Sequence, residues 1–331
     1  MSEKILSVSV ASYNLGEMIL ECLSSFCQPQ VIDKLEILVT DDGSRDHTPD
    51  LAEQFASRFP SSIKVIRKQN EGPGSTVNSG IANATGKYFR MVDGDDWVKE
   101  QTLASFISFL ETTDADLVVS DYDIFDNSEK KVISTERASI APALTHSFED
   151  VFSQIPYQMH ALTYKTAFFK KAETLDNCFY TDTEYTLFPI PFVQTVAYFD
   201  KTVYMYRVAQ ATQSVNPASM RKNLAQHDRV LKRLLSLYES QKDTLSHGQR
   251  HFMAKRIATM ADVQLGVLLT FEKSKEGKQR IKDFFAFVKE ASQDVYAYFK
   301  TGKKCKLLLF SSFLLYPQVR RMYLKVIGER P

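Results

Sequence analysis

Two stretches of the chain place carboxylates where an apolar run stops. In LVTDDGSRDHT, Leu38 to Thr48, the run ends at Asp41 and Asp42. In FRMVDGDDWV, Phe89 to Val98, it ends at Asp93, Asp95 and Asp96. Carboxylates this close repel one another unless a cation neutralises them. Hard divalent ions such as Mg²⁺ or Mn²⁺ take oxygen ligands, commonly one or two carboxylates together with substrate phosphates. The same residues also suit a solvated acidic turn, for which Asp and Gly are favoured. The string alone leaves both readings open.

Other phosphate-binding devices are absent. No GxxxxGK[ST] stretch occurs, so there is no P-loop. EGPGSTVNSG contains Gly72-Pro73-Gly74, but Val77 stands where a dinucleotide fingerprint needs its third glycine. That segment reads as a turn leading into a helix capped by Ser75, with enough Gly and Ser for a ligand to approach the backbone.

Carboxylates can act together only if the elements carrying them end at one place. Apolar runs at Ile5–Val10, Leu35–Val39, Ile63–Ile66, Tyr88–Val92 and Leu117–Val119 read as strands. Between them, Met18, Ile19, Cys22, Leu23 and Phe26 have helical spacing, as do Leu51, Phe55 and Phe59, and Leu103, Phe106, Ile107 and Leu110. Alternation of this kind predicts right-handed βαβ units on a mainly parallel sheet. Ligands of such sheets bind beyond the carboxyl ends of the strands, where both acid clusters fall.

Residues 121–216 read as an α+β completion of the same domain. From about Ser219 long helical patterns take over, among them Leu231, Leu234, Leu235 and Tyr238, then Ile257, Met260, Ala261 and Leu265. The expected division is therefore 1–216 and 217–331. Charge divides at the same place. Residues 1–216 hold 18 Lys/Arg and 30 Asp/Glu, whereas 217–331 hold 23 and 10, hidden within a net charge of +1. Such asymmetry suggests different partners for the two regions. The four cysteines, Cys22, Cys27, Cys178 and Cys305, lack metal-ligand or CxxC spacing and fit free thiols in a reducing compartment. The N-terminus lacks a signal-peptide pattern, and no apolar stretch reaches the roughly 20 residues that span a bilayer. A cytoplasmic protein is expected, with the inner face of the plasma membrane as an alternative site.

Four blocks in order, VSVASYNLGEMILECLSSF, LEILVTDDGSRDHT, NEGPGSTVNSGIANATGKYFRMVDGDDW and FYTDTEYTLFP, make the chain resemble glycosyltransferase family 2 over about residues 4–210. The resemblance implies a GT-A fold, a UDP-sugar donor and transfer with inversion, as in bacterial enzymes that build capsule, exopolysaccharide or other surface glycans. It implies that Tyr13 stacks on the base, with Ala11 lining the same site through its backbone. Asp42 would accept from the base ring N–H, and Asp41 would support the loop or the ribose. Asn70 and Asn78 fall in the block that closes over the nucleotide. Asp93 would lie near the ribose, Asp95 on a Mn²⁺ or Mg²⁺ ion, and Asp96 on the metal or the donor sugar.

Inverting transfer needs one carboxylate to take the acceptor proton. In FYTDTEYTLFP, Asp182 matches the aspartate of the family's Glu-Asp pair and is the expected base, although Thr181 replaces the glutamate. Glu184 is the rival, and either acid also suits the first turn of a helix. Arg207 would neutralise leaving-group charge or stand on the surface of an edge strand. His160 is given no role.

The expected acceptor is a glycan, lipid-linked or protein-linked. Residues 299–331 carry eight Lys/Arg against one acid around the run Leu307–Tyr316. They read as a docked terminal helix, a peripheral membrane contact or an oligomer contact; nucleic acid is disfavoured because aromatic interleaving is missing. Two competing functions remain: a catalytically inactive partner or scaffold protein, and a nucleotidyltransferase. ASYNLGE is unlike the phosphate loop that a nucleotidyltransferase needs.

Overall fold

The computed structural model describes residues 3–142, 144–171, 178–208, 217–271 and 274–328. The chain forms two compact units, Met1–Gln213 and Ser214–Pro331.

The first unit is built on a 10-stranded sheet. Its strands are β1 (Leu6–Ser12), β2 (Leu35–Asp41), β3 (Ile63–Arg67), β4 (Tyr88–Asp93), β5 (Trp97–Val98), β6 (Leu117–Asp126), β7 (Lys131–Glu136), β8 (Thr145–Ser147), β9 (Leu162–Lys165) and β10 (Thr195–Val208). The helices of this unit are α1 (Met18–Ser24), α2 (Thr48–Ala56), α3 (Pro73–Asn83), α4 (Glu100–Thr112), α5 (Phe148–Val151), α6 (Thr166–Phe169) and α7 (Thr181–Leu187). Strand order is β3-β2-β1-β4-β9-β6-β10-β5, with β7 on β6 and β8 on β10. The long ladders, β1 with β2 and β4, β2 with β3, and β6 with β10, are parallel. The pairs made by β5, β7, β8 and β9 are short and antiparallel. The expected mainly parallel sheet is present, and every apolar run named above forms one of its strands.

Parallel strands covered on both faces are apolar throughout, and β1 follows this rule: Leu6, Val8 and Val10 are buried, and so are Ser7 and Ser9 on the opposite face. Those serines allow close approach. A Cβ on Gly80 of α3 would lie 2.0 Å from Ser9 Oγ, so helix and strand meet there at backbone distance.

Two local expectations change. Helix α3 begins one turn earlier than a Ser75 cap would place it, with Gly72 at the cap and Pro73 in the first turn. Proline suits that position because its missing N–H would have no helical partner. On α2 the buried positions are Thr48, Pro49, Ala52 and Ala56. Leu51, Phe55 and Phe59 are half-buried, because small residues let this helix lie close against its neighbours.

The second unit is helical: α8 (Pro217–Lys222), α9 (Leu224–Gln241), α10 (His247–Thr270), α11 (Lys275–Ala291), α12 (Gln293–Phe299), α13 (Lys303–Phe310) and α14 (Tyr316–Val326). Leu231, Leu234, Leu235 and Tyr238 of α9 and Ile257, Met260, Ala261 and Leu265 of α10 are all buried, as their spacing predicts. Each such leucine stabilises the unit by about 1.5–3 kcal/mol. A buried polar relay fixes the register of the two helices: His227 Nδ1 lies 2.8 Å from Gln264 Oε1, and Gln264 Nε2 donates to Asp228 at 3.1 Å. Ser246 and Gln249 form a capping box that starts α10. Among the described residues, no helix is long and apolar enough to cross a membrane.

Candidate active site at the carboxyl ends of the sheet

Register brings the two acid clusters together. Parallel pairing sets Ser12 of β1 beside Asp41 of β2, and Ala11 of β1 beside Asp93 of β4. The clusters therefore flank the end of one central strand. The chain crosses from one side of β1 to the other between β3 and β4, and an open α/β sheet has its ligand crevice at such a point.

The loop after β1 carries Tyr13, whose ring is 45% exposed at the rim. The neighbouring loop braces it. Asn14 N–H donates to Ser44 Oγ at 2.9 Å, Arg45 N–H donates to Asn14 Oδ1 at 2.8 Å, and the amides of Leu15 and Gly16 both donate to Thr48 Oγ1. Ala11 contributes its carbonyl, which accepts from Gly94 N–H at 2.9 Å.

Asp41 and Asp42 are both buried. Asp41 accepts from Ser44 N–H at 3.0 Å and Ser44 Oγ at 2.5 Å, and so shapes the loop. Asp42, expected against a base, already has hydrogen-bond partners in the protein. Its carboxylate is turned onto the 68–75 segment, accepting from the amides of Glu71 and Gly72 at 2.9 and 2.8 Å, from Ser75 Oγ at 3.2 Å and from Lys68 Nζ at 3.3 Å. A carboxylate only 3% exposed must find its hydrogen-bond donors within the protein. The segment crosses over Gly43, whose φ of +73° and 2.8 Å clearance between a built Cβ and Asn70 N demand glycine. Asn70 is exposed above it, and Asn78 lies half-buried on α3.

The second cluster lies on the other side of β1, at the end of β4. Asp96 is buried, with Oδ2 accepting from Tyr204 Oη at 2.6 Å and Oδ1 from Arg207 N–H at 2.7 Å. The Tyr204 hydroxyl also accepts from Asp93 N–H at 3.2 Å, so one phenol ties the two ends of the acid turn. Burial, then the charges of Asp95 and Asp93, hold the Asp96 carboxyl well above the ordinary range despite those donors. Asp93 is pushed up to about 7 by burial, with Asp95 and Asp182 adding repulsion. Asp182 occupies the first turn of α7, half-buried and close enough for its charge to be felt at Asp93. Glu184, its rival, is fully buried.

His160 enters this cluster unannounced. Ligand atoms of Asp93, Asp96 and His160 lie within 4.8 Å of one another. The ring stacks on Tyr206 at 4.2 Å and lies beside Tyr204 at 4.7 Å. Burial and then the Arg90 charge push it down to about 3, so the imidazole is neutral at working pH. Its Nδ1 is buried and lacks a hydrogen-bond partner among the described residues. A neutral imidazole with an unused nitrogen beside carboxylate oxygens is a donor set that a divalent cation fits. Asp95, placed on the metal by the resemblance, is outside this triplet but sits half-buried on the same turn. A lone histidine in YQMHALTYK gave no signal; only the insertion of β9 between β4 and β6 brings it here.

Arg207 is neither a surface residue nor an open cation. Its Nε donates to the Asp95 carbonyl at 2.7 Å, its Nη1 to Asn127 Oδ1 at 3.0 Å and its Nη2 to Glu21 at 2.5 Å, and its guanidinium lies 4.5 Å from the Trp97 ring centre. The group is buried and clamps the acid turn. Beneath the cluster, buried Arg90 donates to Thr163 Oγ1 at 2.8 Å and to the His160 carbonyl, holding the His160 turn in place.

A mainly parallel α/β sheet with carboxylates at the carboxyl ends of its strands, beside an exposed aromatic, is the arrangement in which open α/β sheets bind their ligands. The sequence profile of glycosyl transferase family 2 matches residues 7–178. The chain belongs to that family. It is 34% identical over 122 residues to the putative glycosyltransferase EpsH of Bacillus subtilis strain 168, covering 37% of this chain and 35% of that one. It is 33% identical over 130 residues to glycosyltransferase GlyG of Streptococcus pneumoniae serotype 4, covering 39% and 42%. The chain thus spans well under half the length of these curated relatives. The crystal structure of S. aureus TarS 1–349 in complex with UDP-GlcNAc superposes with a TM-score of 0.65, covering 98% of this chain and 92% of that one at 19% identity. The likeness identifies the fold as GT-A with a helical C-terminal region.

Proposed function

We propose that this protein is a metal-dependent, inverting glycosyltransferase that moves a hexose or N-acetylhexosamine from a UDP-sugar to a glycan acceptor in bacterial surface polysaccharide or glycoprotein synthesis. The observation that carries this reading is the convergence of Asp93, Asp95, Asp96 and Asp182 at the crevice beside the end of β1. Family membership and the UDP-GlcNAc complex of TarS support the donor class.

In this reading Tyr13 stacks on the base, the Ala11 backbone lines its pocket, and Asn70 and Asn78 flank the segment that covers it. Asp41 and Asp42 shape the two loops that form the walls. Asp93, Asp95 and Asp96, with His160 beside them, would hold Mn²⁺ or Mg²⁺, which supplies positive charge to the departing diphosphate. Asp182 takes the proton of the acceptor hydroxyl as its oxygen bonds to the sugar C1. The bond from C1 to the β-phosphate oxygen breaks, and UDP leaves carrying that electron pair. Residues 1–216 form the catalytic domain and 217–331 a separate helical domain.

UDP release, measured across a panel of UDP-hexoses and UDP-N-acetylhexosamines with Mn²⁺, tests the assignment. Release from at least one donor is expected, with loss in Asp95→Asn and metal-dependent UDP affinity weakened in the same variant. Absence of both UDP binding and UDP release across the panel would leave the inactive-partner reading standing.

A further inference from the structure

The run Leu307–Tyr316 is not one helix. Helix α13 ends at Phe310, and the turn to α14 passes through Ser312 and Phe313 with φ of +47° and +63°. Left-handed backbone at two successive non-glycine residues, one of them aromatic, is strained and persists only where packing enforces it. Packing does so here. Cys305 and Leu308 of α13 and Tyr316, Val319 and Leu324 of α14 are buried, and Phe313 meets Phe285 edge-on at 5.2 Å. Lys304 pairs with Asp262 at 2.9 Å, and Arg320 Nε donates to the Phe271 carbonyl at 2.8 Å. The docked terminal helix expected from sequence is present on this inner side.

The outer side is another matter. Phe310 is 92% exposed, Leu314 74% and Val326 83%, with Leu307 and Met322 also open to solvent. Lys303, Lys306, Leu307 and Phe310 share one face of α13 by helical spacing. Both lysines are exposed, as are Arg321 and Lys325 beside Met322 and Val326. No acidic residue occurs from 295 to 328. A monomer that leaves a phenylalanine almost wholly in water beside several uncompensated cations has a surface built for a partner.

We infer that the α13–α14 segment is an interfacial membrane-binding element, seating Phe310, Leu307 and Leu314 at the headgroup boundary of an anionic bilayer with Lys303 and Lys306 against the lipid phosphates. Charge decides among occupants. Two copies of a face without acids repel, and an acidic partner would match the cations but not the exposed apolar side chains of Leu307, Phe310 and Leu314. An anionic lipid surface matches both. The inference stands apart from the sugar-transfer reading.

Sedimentation of the full chain with phosphatidylcholine vesicles, and with vesicles containing about 30% phosphatidylglycerol, tests it. Partitioning onto the anionic vesicles alone is expected, weakening with salt. Each basic residue near such a surface contributes about a fivefold factor in partitioning. Lys303→Gln with Lys306→Gln should therefore lose about 25-fold, and Phe310→Ser with Leu314→Ser at least tenfold. Both pairs should melt like the parent, because the altered side chains are largely exposed. No binding to anionic vesicles, or binding indifferent to both pairs, overturns the inference. So does concentration-dependent self-association, without lipid binding, that Phe310→Ser with Leu314→Ser abolishes; that outcome assigns the patch to a second copy. UDP affinity measured by calorimetry on the same samples reads the active-site proposal separately.

Discussion

Arg207→Met separates a clamp from a phosphate ligand. The guanidinium makes charge-assisted bonds to the Asp95 carbonyl and to Asn127, each worth about 1.5–3 kcal/mol. Its partner Glu21 is 51% exposed, so that pair adds at most about 1 kcal/mol. The contact with Trp97 adds about 1–2 kcal/mol. Methionine fills much of the volume and recovers part of the desolvation cost of a buried charge, so the terms do not simply add; a net loss of about 3 kcal/mol is expected. For a unit the size of Met1–Gln213 that corresponds to a fall of about 6–12 °C in Tm. The assay is built in, since Trp97 is the only tryptophan of the chain and lies against the altered side chain. Its emission should shift in the variant and melt early, and UDP affinity should fall because the acid turn loses its brace. An Arg207→Met protein that melts within about 1 °C of the parent, yet turns over slowly with normal UDP affinity, would refute the clamp and return Arg207 to the leaving group.

Asp182→Asn should keep UDP-sugar affinity while turnover drops at least ~10², the loss expected for a general base; if Glu184→Gln is crippled instead, the wrong acid has been chosen. Gly94→Ala places a methyl 2.5 Å from Leu15 Cδ1 and 2.6 Å from the Ala11 carbonyl. A cost of about 1–3 kcal/mol in urea unfolding and weakened UDP binding should follow together. Asp116 accepts from Lys165 and from the amides of Gln194 and Thr195. Burial opposes its charge, but these partners hold the carboxyl below its usual range. A depressed carboxylate contributes stability above the unfolded value of about 3.9 and loses it as pH falls through the folded one. Urea midpoints of the parent and Asp116→Asn should therefore differ at pH 7 and converge toward pH 3.

The parallel sheet and the position of the acids were legible because they depend on short-range pattern. Runs such as Tyr88–Val92 are apolar because both faces are covered, and Asp93 follows directly where cover ends. What could not be read were partners supplied by distant strands. Tyr204 and Arg207 lie more than a hundred residues from Asp96, and neither residue type announces that it will bond a carboxylate. His160 was hidden for the same reason. The bonds of Asp42 to the amides of Glu71 and Gly72 were not legible either, because a short acidic motif does not say which segment will pack against it.

The family match stops at residue 178, whereas β10 runs from Thr195 to Val208. Both oxygens of Asp96 are held from β10, as are the Asp95 carbonyl and the Asp93 amide. A fragment ended at the boundary of the matched segment would keep every acid of the DGDD turn and lose the groups that set their spacing. Exchange of parts between relatives is constrained accordingly. A chimera that imports residues 7–178 into a different C-terminal half must import a compatible Tyr204 and Arg207 with it, or carry a complete motif that cannot keep its shape.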